Sequence, residues 1–547
     1  MRLPEDINDL EHELDDMRES LIPKGFHIFG TPFTEEEAES FAIQSMMFPH
    51  EGAVPMDTIL KDHGFEGKVD EESDRIYRAY NKDGTVPDNL KDDERTLPSL
   101  EFENRIFHQS QECHEIRNLI RALDSEFIEP KPGDDFLRNP DIVPTGYNIV
   151  QFDPSKIPTM AAFERGAEAA NNTIRMHLEE TGEYPKSVAM VMWGLETSRS
   201  QGATIGQIMT YLGIRMVDTA GSFERRFEII PPEELGRPRI DITVSICGFF
   251  RDMFASVVTG LNKVFMNLWN MNETDEQSYF AKNTRDNYQK LLEEGYSEAD
   301  ALDLAICRLF GPKEGTYGTG MTNAVNASEW EEEDDLGNIY NNAMKHAYSL
   351  KRRGYDSGNL LRNNHKNVDV VSQIRQNVEY ELIDLDHYYE YFGGLSKTVE
   401  IARGGSKAKM YITDNTGPRL KTTTVKASIE HGVRTRLLNP KWIDGMLETD
   451  YHGTQKINDR FENVLGLAAT TGEVESGVFS DMEKVYVHDK ELRKRLMENN
   501  SFAYINMLNR LYEAYRRKYW DATDEELEEL KEAFMDAEAL AEEATDH

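Results

Sequence analysis

Between residues 161 and 269 the spacing of apolar positions changes repeatedly, and each change marks an element. Residues 161–181 carry helical periodicity, and Ser187-Val188-Ala189-Met190-Val191-Met192-Trp193-Gly194 is a continuous apolar run, the pattern of a parallel strand buried on both faces. Helical spacing returns over 203–213. Arg226-Phe227-Glu228-Ile229-Ile230-Pro231 and Ile240-Asp241-Ile242-Thr243-Val244-Ser245-Ile246 read as strands, and 250–269 as helix. This alternation predicts a doubly wound α/β domain. Its ligand crevice is expected beyond the carboxyl ends of the strands, near Trp193–Ser200 and Cys247–Asp252.

Outside this region the pattern is mainly helical. Leu10, Leu14 and Met17 predict a helix over 1–22, followed by a short strand or turn at Ile22–Gly30. Residues 34–140 read as polar helices broken by loops, and Gly146, Asn148, Pro154 and Pro158 punctuate a boundary. Residues 284–310 and 328–353 read as helical, the second opened by a capping box of Ser328 and Glu331. Lys409–Asp414 is one more strand, and helices dominate from 422. From Thr523 an acidic helix carries a thin stripe of Leu527, Leu530, Phe534 and Leu540, expected to pack on the body. The expected fold is α/β and multidomain: a Rossmann-like parallel-sheet domain with mostly helical N- and C-terminal regions. The expected boundaries are 1–140, 141–420 and 421–547.

Composition narrows the function. A chain of 547 residues is long enough for about three domains, and 39% hydrophobic residues can fill real cores. No run of about 18 apolar residues predicts a membrane span, and the acidic start lacks the apolar centre of a signal peptide. Cys113, Cys247 and Cys307 are scattered without metal-binding spacing, which fits a reducing cytoplasm. A net charge of −39 repels nucleic-acid phosphates and argues against DNA or RNA as partner.

No P-loop motif occurs; Gly404-Gly405-Ser406-Lys407 has the wrong spacing. The zinc-protease and serine-hydrolase motifs are also missing. The segment from Tyr380 to Leu395 gathers Glu381, Asp384, Asp386, His387, Tyr388, Tyr389, Glu390 and Tyr391, and ends on Gly393-Gly394, which permits a turn or a close backbone approach. Aromatic walls suit a flat macrocycle, while carboxylate and imidazole suit a divalent ion and proton removal. The alternative is an ordinary loop. Glu430-His431 precedes Arg434 and Arg436, whose guanidinium forks suit carboxylates; the alternative is a solvated helix face. Asn439 and Pro440 should cap and open a helix whose Trp442, Ile443, Met446 and Leu447 share one face. At the predicted crevice stand Trp193, Glu196, Thr197, Arg199, Arg251 and Asp252; Arg251 and Asp252 read alternatively as a local ion pair capping the next helix. Gly311–Met321, with Tyr317, is a glycine-rich loop.

The stretch Arg434-Thr435-Arg436-Leu437-Leu438-Asn439-Pro440-Lys441-Trp442 resembles the signature of the large, tetrapyrrole-binding subunit of ATP-dependent metal chelatases, the family of cobaltochelatase and magnesium chelatase. Further blocks resemble that family in its order: Thr145-Gly146-Tyr147-Asn148, Met192-Trp193-Gly194, Leu235–Asp241, Gly248–Asp252, Arg308–Gly311, Asp386–Leu395 and Leu467–Gly472. The likeness runs from about Ile22 to Tyr519, and the block at Tyr388–Leu395 is more similar to the cobalt branch. It implies insertion of Co²⁺, or Mg²⁺, as substrate ion into a tetrapyrrole. ATP-Mg would be hydrolysed by AAA+ and integrin-like partner subunits, which fits a chain without a P-loop. Family members carry a large additional N-terminal portion, so a separate N-terminal half is a further expected partner. His387, His431, Glu430 and Glu381 are expected in metal delivery and proton removal, with His387 and His431 as transient ligands. Trp193, Glu196, Arg251, Tyr317, Tyr388, Arg434 and Arg436 are expected to hold the ring. The rival readings are a magnesium chelatase large subunit, a non-catalytic tetrapyrrole carrier or sensor, and an α/β sugar- or nucleotide-binding protein.

Overall fold

The computed structural model describes residue 14 and residues 28–545, except 49, 51, 134, 135, 137–139, 151–153, 218–221, 378 and 418. The predicted helix over 1–22 and most of the segment 22–30 lie outside these residues. The described chain divides into two compact units, one within Gly25–Asp153 and one from Pro154 onward. This division falls inside the sequence boundary marked by Gly146 and Pro154, and residues 421–547 share the unit that holds 154–420.

The first unit is helical. Thr34 caps Glu35–Ser45 through a capping box with Glu37, and helices Val69–Asp83 and Thr96–Ser110 close a core of Ala38, Ala42, Ile59, Ile76, Tyr77 and Leu100.

The second unit is built on an eight-stranded sheet. Its strands in chain order are β1 (Ser187–Met192), β2 (Asp241–Ile246), β3 (Leu309–Gly311), β4 (His346–Ala347), β5 (Tyr355–Asp356), β6 (Val370–Arg375), β7 (Lys409–Asp414) and β8 (Lys421–Thr424). The spatial order is β8-β7-β6-β1-β2-β3-β4-β5, parallel from β7 to β3 and antiparallel at both edges. β1 and β2 are buried along their whole length, as their apolar patterns require, and so is β6. Helices α1 (Met160–Thr181) and α2 (Ala203–Tyr211) cover one face, where Ala169, Ala203 and Ile374 pack together and Gln207 donates to Ser372. A Cβ on Gly166 would lie 2.0 Å from the Ala203 carbonyl oxygen, so glycine sets how closely these helices approach. Residues of Glu333–Met344 and Gly394–Ala402, including Leu336, Tyr340, Leu395 and Val399, pack with Ala189, Val191 and Val371 on the other face.

Several sequence expectations are corrected. Phe227–Ile229 pairs antiparallel with Ile214–Met216 in a separate two-stranded sheet, not in the main one. The segment 284–310 is two helices, Tyr279–Glu293 and Glu298–Ile306, and then β3. The helix expected at 328–353 runs only over Glu333–Met344; Glu332 is its N-cap, Ser328 adopts φ 56°, and β4 follows. β6 has no counterpart among the predicted elements. Its Ser372, Gln373 and Arg375 are buried, which hides the strand from a reading based on apolar runs. The acidic helix Asp524–Thr545 forms as expected, with Leu530, Ala533 and Ala537 buried on the body.

Ile242 is fully buried on β2, whereas Ile149 is 78% exposed. Ile242→Ala should lower the unfolding free energy by about 2–5 kcal/mol in urea titrations. Ile149→Ala should change it by less than about 0.5 kcal/mol.

Candidate active site at the strand ends

The chain runs from β1 to β2 and β3 on one side and returns to β6 on the other, so the sheet changes winding direction between β1 and β6. Connections leave these strands toward opposite faces and open a crevice beyond their carboxyl ends. The crevice holds about 330 Å³. Trp193, Leu195, Glu196 and Arg199 line it after β1; Gln373, Gln376, Asn377, Tyr380, Leu385, His387 and Tyr388 line it from β6 and the loop that follows. The sequence located the β1 half and missed Gln373, Gln376 and Asn377 with the strand that carries them. The β-branched run Val368–Val371 was the available signal.

One wall is aromatic. The Trp193 ring lies 5.6 Å from His387, 6.1 Å from Tyr388 and 5.3 Å from Tyr391, and His387 stacks on Tyr391 at 15°. Trp193 follows β1, and the other rings come from a π-helical turn, Tyr388–Gly393, and from the residue that precedes it. Such turns are rare and frequently mark functional sites. A Cβ on Gly393 would sit 2.1 Å from Thr470 Oγ1, so this glycine lets the turn dock on α3 (Asp450–Thr471). Glu390, buried in the turn, accepts hydrogen bonds from Thr319 N at 2.7 Å and Thr319 Oγ1 at 2.9 Å, tying in the glycine-rich loop. His387 remains half-exposed, its Nδ1 2.6 Å from Asp386 Oδ1. That hydrogen bond raises the His387 pKa against the opposing effect of burial, and lowers that of Asp386.

Behind the wall lies a buried charged network. Arg375 reaches Glu381 at 3.1 Å and Asp414 at 2.5 Å, and His431 Nε2 lies 3.8 Å from Glu381 Oε1. Burial raises the Glu381 pKa, although Arg375, His431 and Arg436 oppose it. Burial also raises the Tyr388 phenol, which feels the charges of Arg375, Glu381, Asp414 and Glu196 and so links the network to the crevice. Among the described residues no group of three or more His, Cys, Asp or Glu side chains is assembled to hold a metal. His387 and His431 are therefore not part of a preformed ion site.

The loop that carries these groups is pinned by Asp384. Its carboxylate, with no exposed side-chain surface, accepts from Arg460 Nε at 2.7 Å and from the Glu381 N–H at 2.7 Å, and pairs with Arg436 at 3.4 Å. Arg460 in turn lies over the Trp442 ring at 4.9 Å. Asn439 caps Pro440–Leu447 by accepting from Lys441 N, as the sequence requires.

Two expected anchors have partners inside the protein. Arg436 is buried and pairs with Asp384 at 3.4 Å. Arg251 is also buried: it pairs with Asp252 at 2.7 Å and donates to the carbonyls of Lys313 and Thr316, holding the glycine-rich loop. That is the ion-pair reading of Arg251 and Asp252. Tyr317 is 65% exposed, donates to Asp252 Oδ2 and is not among the residues lining the crevice. Glu430 and Arg434 are half-buried on helix Val425–Thr435, and Glu430 adds to the negative field on Lys426. Glu196 accepts from Thr204 at 2.9 Å and lines the crevice.

The fold and site together are an open α/β sheet with an aromatic crevice at its winding reversal, backed by carboxylate and imidazole side chains. The chain belongs to the CobN/Magnesium Chelatase family, whose model matches residues 2–527. It is 31% identical over 435 residues to the chloroplastic magnesium-chelatase subunit ChlH of Oryza sativa subsp. indica, covering 78% of this chain and 30% of that protein. It is 30% identical over 437 residues to aerobic cobaltochelatase subunit CobN of a Sinorhizobium species, covering 79% and 34%. The catalytic subunit of cobaltochelatase from Mycobacterium tuberculosis superposes with a TM-score of 0.83 at 27% identity, over 98% of this chain and 47% of that one. The chain thus spans less than half of the length of each of these relatives. Among the described residues no helix is long and apolar enough to cross a membrane.

Asp384→Asn leaves Arg436 and Arg460 buried without their carboxylate. It should cost about 3–5 kcal/mol in urea unfolding. In NMR titrations His387 should protonate above the ordinary histidine range, and Asp386→Asn should bring it down.

Proposed function

We propose that this chain is the ring- and metal-handling part of a chelatase large subunit, which inserts a divalent ion, Co²⁺ in the first instance, into a tetrapyrrole. The observation that carries this reading is the crevice: aromatic rings of Trp193, His387 and Tyr388 at its wall, with Glu381 and His431 behind Tyr388. Family membership supports the class of reaction, and the similar identities to cobalt and magnesium relatives make Mg²⁺ the other ion to test.

In this reading the ring lies flat against the aromatic wall, which excludes water from one of its faces. Insertion replaces two pyrrole N–H protons by the ion, so two protons must leave. Glu381, whose burial raises its proton affinity, takes the two protons in turn and passes each to His431, from whose exposed side it leaves to solvent. His387 sits at the mouth with Asp386 and serves as the transient donor to the incoming ion once it has lost its proton. Glu430 and Arg434 lie on the same helix as His431 and line the outer path. AAA+ and integrin-like partner subunits would supply ATP hydrolysis, and the remaining large-subunit portion would complete the ring site. The costly steps are stripping water from the ion and deforming a planar ring, both of which remote binding energy can drive.

The test is an absorbance titration with hydrogenobyrinic acid a,c-diamide and with protoporphyrin IX, followed by Co²⁺ or Mg²⁺, partner subunits and ATP. Conversion to the metallated spectrum supports insertion and names ring and ion. Ring binding without conversion in the complete system would instead make the chain a carrier or sensor. His387→Ala and His431→Ala should slow insertion while leaving the unfolding midpoint near wild type; wild-type rates in both would remove their assigned roles. The insertion rate should rise with pH along a limb centred above the ordinary glutamate range, as Glu381 loses its proton. Glu381→Gln should remove that limb and lower the rate by about 10²–10⁴-fold.

A further inference from the structure

A second cavity, of about 840 Å³, is lined by residues of the stretch Asn326–Glu331 and by the end of the long helix Lys490–Arg516. None of the residues lining it lines the crevice. Four cations border it, Arg510, Arg516, Arg517 and Lys518, against two carboxylates, Glu331 and Glu513. Arg510 also reaches Glu462 at 3.5 Å, so the positive surplus of the lining rests on Arg516 and Lys518.

The inner cations are fixed. Arg510 and Arg517 share Glu513, at 2.9 and 2.7 Å, and Arg517 lies 3.4 Å over the Trp330 ring. The outer cations, Arg516 and Lys518, are exposed and have no carboxylate partner among the described residues. Helix-end cations complement the helix dipole, and that accounts for part of the pattern. It does not account for Lys518 itself, which adopts φ 64°, a left-handed conformation that glycine takes at helix ends without strain. Lys518 lines the cleft from this left-handed position.

We infer that this cavity is a binding site for a small oxyanion-bearing ligand, phosphate or carboxylate, separate from the crevice. The inner arginines preorganise its floor, and Arg516 and Lys518 contribute unpaired charge at its mouth.

Titration calorimetry of the full chain with pyrophosphate and with citrate at low ionic strength, without any tetrapyrrole, tests the site and separates the two sources. One-to-one saturable binding of either is expected, weakening with salt. Lys518→Gly is the informative variant, because it removes the ammonium while relieving the left-handed backbone. It should keep or raise the unfolding midpoint and yet weaken binding, and adding Arg516→Gln should bring the loss to about tenfold or more. His387→Ala should bind the same anion as wild type, so this result does not depend on the crevice reading. Failure of both anions to bind at about 10 mM, or unchanged affinity in the double variant, would overturn the inference.

Discussion

The site depends on one buried carboxylate. Asp384 receives Arg436 and Arg460 from two helical segments and the Glu381 backbone N–H from its own loop. A buried charge of this kind persists only when it is paired and hydrogen-bonded, so its partners cannot move independently. The loop after β6 is therefore held at both ends, by the strand and by the C-terminal helices. Tyr380, Leu385, His387 and Tyr388 take their places in the crevice as a consequence. The charged network of Arg375, Glu381, Asp414 and His431 is fixed by the same clamp.

This arrangement separates two kinds of residue that look alike in sequence. Arg239 and Arg308 belong to family-like blocks, yet both are buried at the amino ends of strands. Arg239 pairs with Glu273 at 2.7 Å, and Arg308 with Asp241 at 2.7 Å. Arg251 and Arg436 lie near the carboxyl ends and are likewise consumed by internal partners. The arginines of these motifs build the scaffold. The groups left facing the crevice are mainly aromatic, amide and imidazole side chains. A planar conjugated ligand is better matched by such a surface than by paired guanidinium groups.

The π-helical turn adds a second constraint. It brings His387, Tyr388 and Tyr391 together around Trp193, and it docks on α3 through a glycine with no room for a side chain. Its buried Glu390 also ties the glycine-rich loop to the same body. Crevice wall, loop and C-terminal helices thus form one cooperative assembly, in which polar groups are satisfied across elements rather than within them.

The sequence alone determined the doubly wound core strands β1, β2 and β7, the cap at Asn439, the acidic C-terminal helix and the aromatic–acidic character of residues 380–395. Each of these is written locally, as an apolar run, a capping residue or a composition. It also pointed to Trp193 and Glu196, because they follow an unmistakable strand. Only the tertiary structure decided where the winding reverses. β6 carries Ser372, Gln373 and Arg375 inside the sheet; Gln207 and Asp414 reach Ser372 and Arg375 from distant parts of the chain, and Glu381 reaches Arg375 from the loop that follows the strand. The partner of Arg436 was hidden for the same reason. An arginine in a motif reads as a free fork until its partner is known: Asp384, 52 residues from Arg436, is a partner that no local pattern discloses, whereas Asp252 adjoins Arg251 and that pairing was legible in the sequence.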